Sequence, residues 1–225
     1  MEQSNKIYAG VTKSAVAIEE GVYPAKLVQI IQIGSHRFEK NGKEWWSPQI
    51  LLGFELPTVI FESAEGVKLS TIKSATYFLS MNESTREGVV GLREIVDGMR
   101  GKSDYTAEEL QQFDISQFLG KNCFIKLDEV ESKGKTYTNI SEITPIKPED
   151  IADIKIDPEV TRRTPILITL GDFPNIESFE LPQWIEEKIK SSTEYQEWLA
   201  KKNQPDDGFN LDDDEEEVKV GDLAF

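Results

Sequence analysis

Residues 22–33 read VYPAKLVQIIQI. The stretch is β-branched and apolar, and its in–out alternation slips at Val28 to Ile31. Side chains on a strand alternate with a period of two, so a change of phase inside one strand needs an extra residue, a β-bulge. A bulged strand bends, and a bent strand can pair with different neighbours along its length. Working outward, residues 34–43 are polar and contain Asn41-Gly42, a strong signal for a two-residue hairpin turn. Residues 45–56 (WWSPQILLGFEL) alternate again, placing Trp46, Ile50, Leu52, Phe54 and Leu56 on one face and Trp45 on the other. Pro48 favours the start or edge of this strand. Residues 67–79 (VKLSTIKSATYFL) predict a third strand, rich in Thr, Ile and Tyr.

The period then changes. Ser84 to Arg100 carries Val89, Leu92, Val96 and Met99 at helical spacing, weakened by Gly88, Gly91 and Gly98. Thr106-Ala107-Glu108-Glu109 is a capping box that opens a short second helix through Gln112. Cys123, Ile125 and Leu127 alternate with Phe124, Lys126 and Asp128, and after a turn at residues 132–135, Lys135 to Ile143 reads as a fifth strand. Five strands with a helix between the third and fourth follow the order of an OB-fold, a small Greek-key barrel, with a mixed α+β domain as the alternative. The expected fold class is therefore mainly β: a five-stranded OB-fold-like barrel, a C-terminal amphipathic helix and a disordered acidic tail.

Beyond the barrel, Pro145 to Thr164 lacks periodicity and predicts an irregular connector, and Pro165 to Leu170 an extra strand. Leu181 to Lys202 predicts one amphipathic helix whose apolar positions (Trp184, Ile185, Ile189, Tyr195, Trp198, Leu199) pack on the barrel, with dimer contact as the alternative. The expected organisation is an N-terminal arm (1–20), a barrel (21–146), a connector with its helix (147–204) and a tail (205–225).

Asp206 to Phe225 holds nine carboxylates against Lys219 alone, and so supplies −8 of the formal net charge of −16. Like charges at that density, with few apolar groups, predict disorder. The apolar end at Leu223-Ala224-Phe225 suits a short-motif contact with a basic-rimmed pocket. Without the tail the balance changes: residues 21–142 carry fourteen Lys/Arg against seventeen Asp/Glu. A basic face is then open to this chain if the two signs are segregated in space.

The 38% hydrophobic content suffices for one modest core. Single cysteine and histidine residues, Cys123 and His36, exclude an internal disulfide and His- or Cys-rich metal sites. Cys123 reads as a small buried residue and His36 as a surface one. No phosphate-binding Gly-rich loop, nucleophile elbow or spaced metal-ligand set is present, so the expectation is a non-enzyme without metal or cofactor. No apolar run reaches membrane-spanning length and the first residues lack a signal pattern, which predicts a cytoplasmic protein with no membrane partner.

The remaining suggestive residues are aromatic and basic. Arg37, Phe38, Lys40 and Lys43 flank the first turn, followed by Trp45 on the outward phase; Phe124 shares an outward phase with Lys126. Lys26, Tyr77 after Lys73, and Tyr137 with Lys133 and Lys135 near it complete the set. Lysine and arginine neutralise phosphates and exposed rings stack on bases, the mixture that single-stranded nucleic acid requires. The competing reading for such rings is core packing, and for such lysines protection of strand edges.

The stretches GVYPAKLVQIIQIG, STIKSATYFLS, REIVDGMRG, TAEELQQFDISQFLGKNCFIKL and GKTYTNISEITPI, with the acidic tail and its terminal aromatic, resemble phage-encoded single-stranded DNA-binding proteins. The resemblance spans residues 21–146 and the tail. It implies a barrel groove that binds single-stranded DNA during replication, recombination or repair. It also implies a tail whose Asp212, Asp213, Asp214, Glu215, Glu216, Glu217, Asp222, Leu223 and Phe225 recruit partner proteins. The tail departs from the acidic run followed directly by Ile-Pro-Phe in bacterial relatives: Val218 to Gly221 intervene and the end is Leu-Ala-Phe. A homo-oligomer stays open, and so do two other classes, an acidic interaction module that mimics DNA and a metal-assisted nuclease.

Overall fold

The computed structural model describes residues 18–63, 65–82, 90–132, 134–151 and 154–203. The expected tail, nearly all of the N-terminal arm, and Lys133 lie outside the described residues, and no side chain is described for Lys135.

Strand β1 (Gly21–Lys40) does what its phase slip predicts. Its first six residues pair with β4 (Asn122–Ser132), and from Lys26 onward it pairs with β2 (Lys43–Glu62). The β1–β2 register shifts between Leu27 and Gln29 and again between Gln32 and Gly34, leaving Val28 and Ile33 as the extra residues. The sheet continues through β3 (Lys68–Phe78) and β5 (Lys135–Pro145) in the order β3-β2-β1-β4-β5, antiparallel throughout. The extra strand expected near residue 165 is β6 (Ile166–Ile168), which pairs parallel with Gln29 to Ile31 of β1.

The fold is mainly β, built on this six-stranded sheet, with helices added. The sheet does not close through a backbone ladder: among the described residues β3 and β5 share no pairing. The Lys73 ammonium of β3 instead donates to the Thr138 carbonyl of β5, and lies 3.1 Å from the Thr138 hydroxyl.

Helix α1 (Leu92–Arg100) follows β3 and packs on β5; it begins later than the periodicity predicts, and residues 83–89 lie outside the described set. Its Gly98 is explained by packing. A Cβ there would stand 2.2 Å from the Ile143 carbonyl oxygen, so the helix can approach the strand only without a side chain. Helix α2 (Ala107–Gln111) carries the predicted capping box, with Glu109 N donating to Thr106 Oγ1 at 3.2 Å and Thr106 N to Glu109 Oε2 at 2.8 Å. A single-turn helix, α3 (Pro148–Ile151), follows β5 in the connector.

Two hydrophobic cores flank the sheet. The inner one joins Leu27, Ile30, Ile50, Leu52, Phe54, Leu56, Ile95, Val96, Cys123, Ile125 and Leu127. The outer one joins Ile31, Ile33 and Leu51 to Ile168, Phe173, Ile176, Leu181, Ile185 and Ile189. The C-terminal amphipathic segment therefore packs on the sheet, but as two helices rather than one. Helix α4 (Gln183–Lys190) ends at Ser191, and Ser192 caps α5 (Thr193–Lys202) by accepting from Tyr195 N at 3.3 Å. Side-chain hydroxyls that compete for backbone groups break helices in this way. Trp184, expected on the packed stripe, is instead exposed.

The connector is tied down before it reaches the second core. Thr161 forms a parallel bridge with Leu69, and its N–H donates to the Lys68 carbonyl at 2.9 Å, so the edge of β3 is covered there. The tie centres on Glu55, whose side chain is fully buried. It accepts from Arg162 Nε and Nη2 at 3.0 and 2.9 Å, from Arg163 N at 2.8 Å and from Ser70 Oγ at 2.6 Å. Burial alone would raise the Glu55 carboxyl pKa, but these hydrogen bonds and the Arg162 charge outweigh it and hold it below its ordinary value.

Two stability predictions follow from this packing. Gly98→Ala should lower stability by about 1–3 kcal/mol in urea denaturation, although alanine is the better helix former, because the added methyl overpacks a backbone carbonyl. Glu55→Ala should cost about 3 kcal/mol at pH 7 by stranding Arg162 and Ser70. Because its folded pKa lies below its unfolded one, the Glu55 contribution is full above the unfolded value and fades as pH falls through the folded value. Acid titration of Glu55→Gln, followed by circular dichroism, should therefore show a shallower loss of stability below about pH 4.5 than wild type.

Candidate nucleic-acid interface

The β1–β2 ladder outruns both cores. Pairing continues from Ser35↔Pro48 to Lys40↔Lys43, closed by Asn41-Gly42 with φ of 54° and 73°. This is the expected two-residue turn, whose twist matches that of the strands. Directly paired residues share a face, which sorts the projecting hairpin into two sides. One side carries His36, Phe38, Lys40, Lys43, Trp45 and Ser47; the other carries Arg37, Glu39, Glu44 and Trp46.

The first side is aromatic and basic, with no carboxylate between residues 36 and 47. Phe38 and Trp45 stack at 5.8 Å with 25° between their planes. Phe78, at the end of β3 and opposite Gln49, meets Phe38 edge-on at 5.0 Å. Trp45 is 40% and Phe78 45% exposed, so this three-ring platform retains faces open to solvent. On the other side Arg37 is ion-paired with Glu44. Trp46 faces this acidic side and is 59% exposed, against its expected inward position. Its phase does match that of Ile50 and Leu52, but the core ends near Gln49, and at Trp46 there is no interior left to enter.

Two expected contact residues turn inward. Tyr77 pairs with Ile50, is 8% exposed and belongs to the inner core, where burial pushes its hydroxyl pKa up. Lys73 pairs with Phe54 and is half-buried; desolvation lowers its pKa while Thr138 takes its ammonium. Neither ring nor cation is free to meet a strand from outside. The register that turns Tyr77 in turns Phe78 out, and it depends on the pairing of β3 with β2, which strand composition does not fix.

The other expected residues lie away from the platform. Phe124 and Lys126 face outward on β4, as their phase predicts, and Val22 and Lys26 share that face through their pairing with Lys126 and Asn122. Val22, Phe124, Lys126, Glu142 and Thr144 line a small depression of about 80 Å3. Lys126 is paired with Asp128 at 3.1 Å and stands across from Glu142, so the patch is of mixed charge. Tyr137 pairs with Val130 on the β4–β5 hairpin, and both are exposed. Cys123 is buried, and burial pushes its thiol up to about 12. His36 Nε2 lies 3.0 Å from the Ile33 carbonyl.

A further aromatic cluster is spoken for. The guanidinium groups of Arg93 and Arg100 both lie over the Tyr105 ring, at 4.4 and 4.2 Å from its centre, so the ring is already engaged by cations of its own chain. The structure thus gathers Phe38, Lys40, Lys43 and Trp45 from the expected set and adds Phe78. A scan against protein-family models finds no match to this chain, and a search of curated proteins finds no significant relative. Among the described residues no helix is long and apolar enough to cross a membrane.

Adjacent residues test the assignment of faces. Tyr77→Ala should destabilise the protein by about 3–5 kcal/mol, as large core deletions do. Phe78→Ala should cost about 1 kcal/mol or less, since it loses only an exposed ring contact. Urea melts of the two variants measure the difference.

Proposed function

We propose that this chain binds single-stranded DNA with little sequence preference, coating strands displaced during replication, recombination or repair. The observation that carries the reading is the Phe38–Trp45–Phe78 platform, which shares its side of a projecting hairpin with Lys40 and Lys43 and with no acid. Every base has a π-face, so ring stacking tolerates any sequence, while lysines neutralise the phosphates between stacked bases.

The strand order supports an OB-fold-like barrel over residues 21–146, its β3–β5 seam bridged by Lys73 rather than by a ladder. In that fold the β2–β3 face and the loops after β1 and β4 are the usual oligonucleotide-binding region. The platform sits at the β1–β2 end of such a region, and Tyr137 stands on the β4–β5 hairpin. The resemblance to phage-encoded single-stranded DNA-binding proteins agrees, and would place the protein in the cytoplasm of a host bacterium. In this reading residues 205–225 dock replication or recombination proteins through Asp212 to Glu217, Asp222, Leu223 and Phe225. They also compete with DNA for the lysines.

Titration with oligo-dT, followed by tryptophan fluorescence, tests the reading. Wild type should be quenched, with affinity falling steeply as salt rises. Phe38→Ala and Trp45→Ala should each weaken binding about tenfold or more, for stacks worth about 1–3 kcal/mol. Arg37→Ala, on the opposite side, should change it by less than about twofold, in keeping with an exposed ion pair. Removing residues 206–225 should tighten binding, most at low salt where screening is weakest. An acidic interaction module that mimics DNA would show no quenching, and equal affinity with and without the tail would refute competition.

A further inference from the structure

Two rings of the platform, Phe38 and Trp45, stand on a two-stranded arm that reaches past both cores, and isolated hairpins are at best marginally stable in water. Its orientation is therefore set where the arm leaves the body: on the β2 side by the end of β3, where the Leu79 N–H donates to the Pro48 carbonyl at 2.8 Å and Phe78 meets Phe38, and on the β1 side at Gly34 and Ser35. At Gly34 and Ser35 the first turn of α5 meets it. Glu194 Oε2 accepts from Ser35 N–H at 2.7 Å and its Oε1 accepts from Ser35 Oγ, also at 2.7 Å. Thr193 Oγ1 donates to the Ser35 carbonyl at 3.3 Å. Ser192, fully buried, presses so close that a Cβ on Gly34 would stand 2.4 Å from its own; Gly34 also has a φ of +79° that other residues rarely adopt. One residue of β1 thus has its N–H, hydroxyl and carbonyl all held by two consecutive residues of α5.

The clamp has a rigid back. Tyr195, the next residue, packs against the outer core and its ring lies 6.2 Å from that of Phe173. Burial would raise the Glu194 carboxyl pKa, but the two bonds from Ser35 lower it below its ordinary value, with a smaller contribution from His36 nearby. The anion is therefore the working form. His36 lies on the platform side of the hairpin, two residues before Phe38.

We propose that Glu194 is a positioning residue for single-strand binding: by gripping Ser35 it fixes the angle at which Phe38, Trp45, Lys40 and Lys43 meet the strand. The inference rests on the binding reading above, but its mechanical half does not. It also reverses the expectation from charge alone. An acid beside a polyanion site repels the ligand, so removing it should tighten binding; if its grip aligns the platform, removing it weakens binding.

Two measurements decide the matter, with Glu194→Ala, the near-isosteric Glu194→Gln, and Ser35→Ala, each checked for folding by its thermal melt. In oligo-dT titrations Glu194→Ala should weaken binding about tenfold, the equivalent of one charge-assisted hydrogen bond. Glu194→Gln, whose amide oxygen still accepts from the Ser35 N–H, should recover part of the loss. In a Phe38→Ala/Trp45→Ala background Glu194→Ala should have a much smaller effect, since only Lys40 and Lys43 remain to be aimed. Tighter or unchanged binding in Glu194→Ala, or a full effect without the two rings, would overturn the proposal.

The second measurement needs no DNA. In a Trp184→Phe/Trp198→Phe background only Trp45 and Trp46 emit, and their time-resolved anisotropy reports the hairpin. Faster local depolarisation in Glu194→Ala supports the clamp, and unchanged depolarisation overturns it. If wild type fails to bind oligo-dT, the functional reading falls, while the anisotropy still decides whether Glu194 holds the arm.

Discussion

Residues 49–57 of β2 are buried without interruption, and everything else in the molecule is arranged around that fact. A strand with one covered face alternates; a strand covered on both faces does not. Ile50, Leu52, Phe54 and Leu56 enter the inner core, whereas Leu51 enters a second core and Glu55 meets the connector. The second cover is the C-terminal segment, drawn across the sheet by β6 and by α4 and α5. Burying the outer face obliges the chain to satisfy Glu55, which it does with two arginines and a serine. Covering also fixes where the sheet stops being covered, and beyond that line the β1–β2 hairpin projects.

Much of this was legible in local sequence. The phase slip at Val28 gave the bulge, Asn41-Gly42 the turn, Thr106 to Glu109 the cap, and residues 165–170 the sixth strand. These are near-neighbour effects, decided by a few residues in contact along the chain. The misjudged features are long-range. Whether Tyr77 or Phe78 faces outward is settled by register with Ile50, and whether Trp46 finds a core is settled by where that core ends. Lys73 turns inward because an oxygen of a strand sixty-five residues away receives it. The break between α4 and α5 falls at Ser191-Ser192-Thr193, where Ser192 caps α5, although the apolar stripe on either side of it reads as one helix.

The same distinction governs charge. A chain of −16 is an unpromising partner for a polyanion when charge is summed. Electrostatics near contact is local, because salt screens charges beyond about 8–10 Å. What a strand would meet at the hairpin is Lys40 and Lys43, with Glu39 and Glu44 turned to the other side by strand alternation. Alternation thus segregates charge that composition mixes, which is how a nearly balanced stretch of sequence can present a basic surface.

The hairpin's two sides also differ in what they expose. Trp45, Trp46 and Phe78 expose large apolar area that neither core needs, and burial of such rings is ordinarily worth about 1.5–3 kcal/mol each. If exposure were merely tolerated, rings and charges would be scattered over both sides. Instead Phe38 touches both Trp45 and Phe78 on the basic side, while the acidic side has only Trp46 with an ion pair. A platform of that kind is of use only if it is aimed. Glycine at position 34, unfavourable within a strand, makes sense there because it lets α5 close upon Ser35. The residue that weakens the strand is the one that permits its tip to be held.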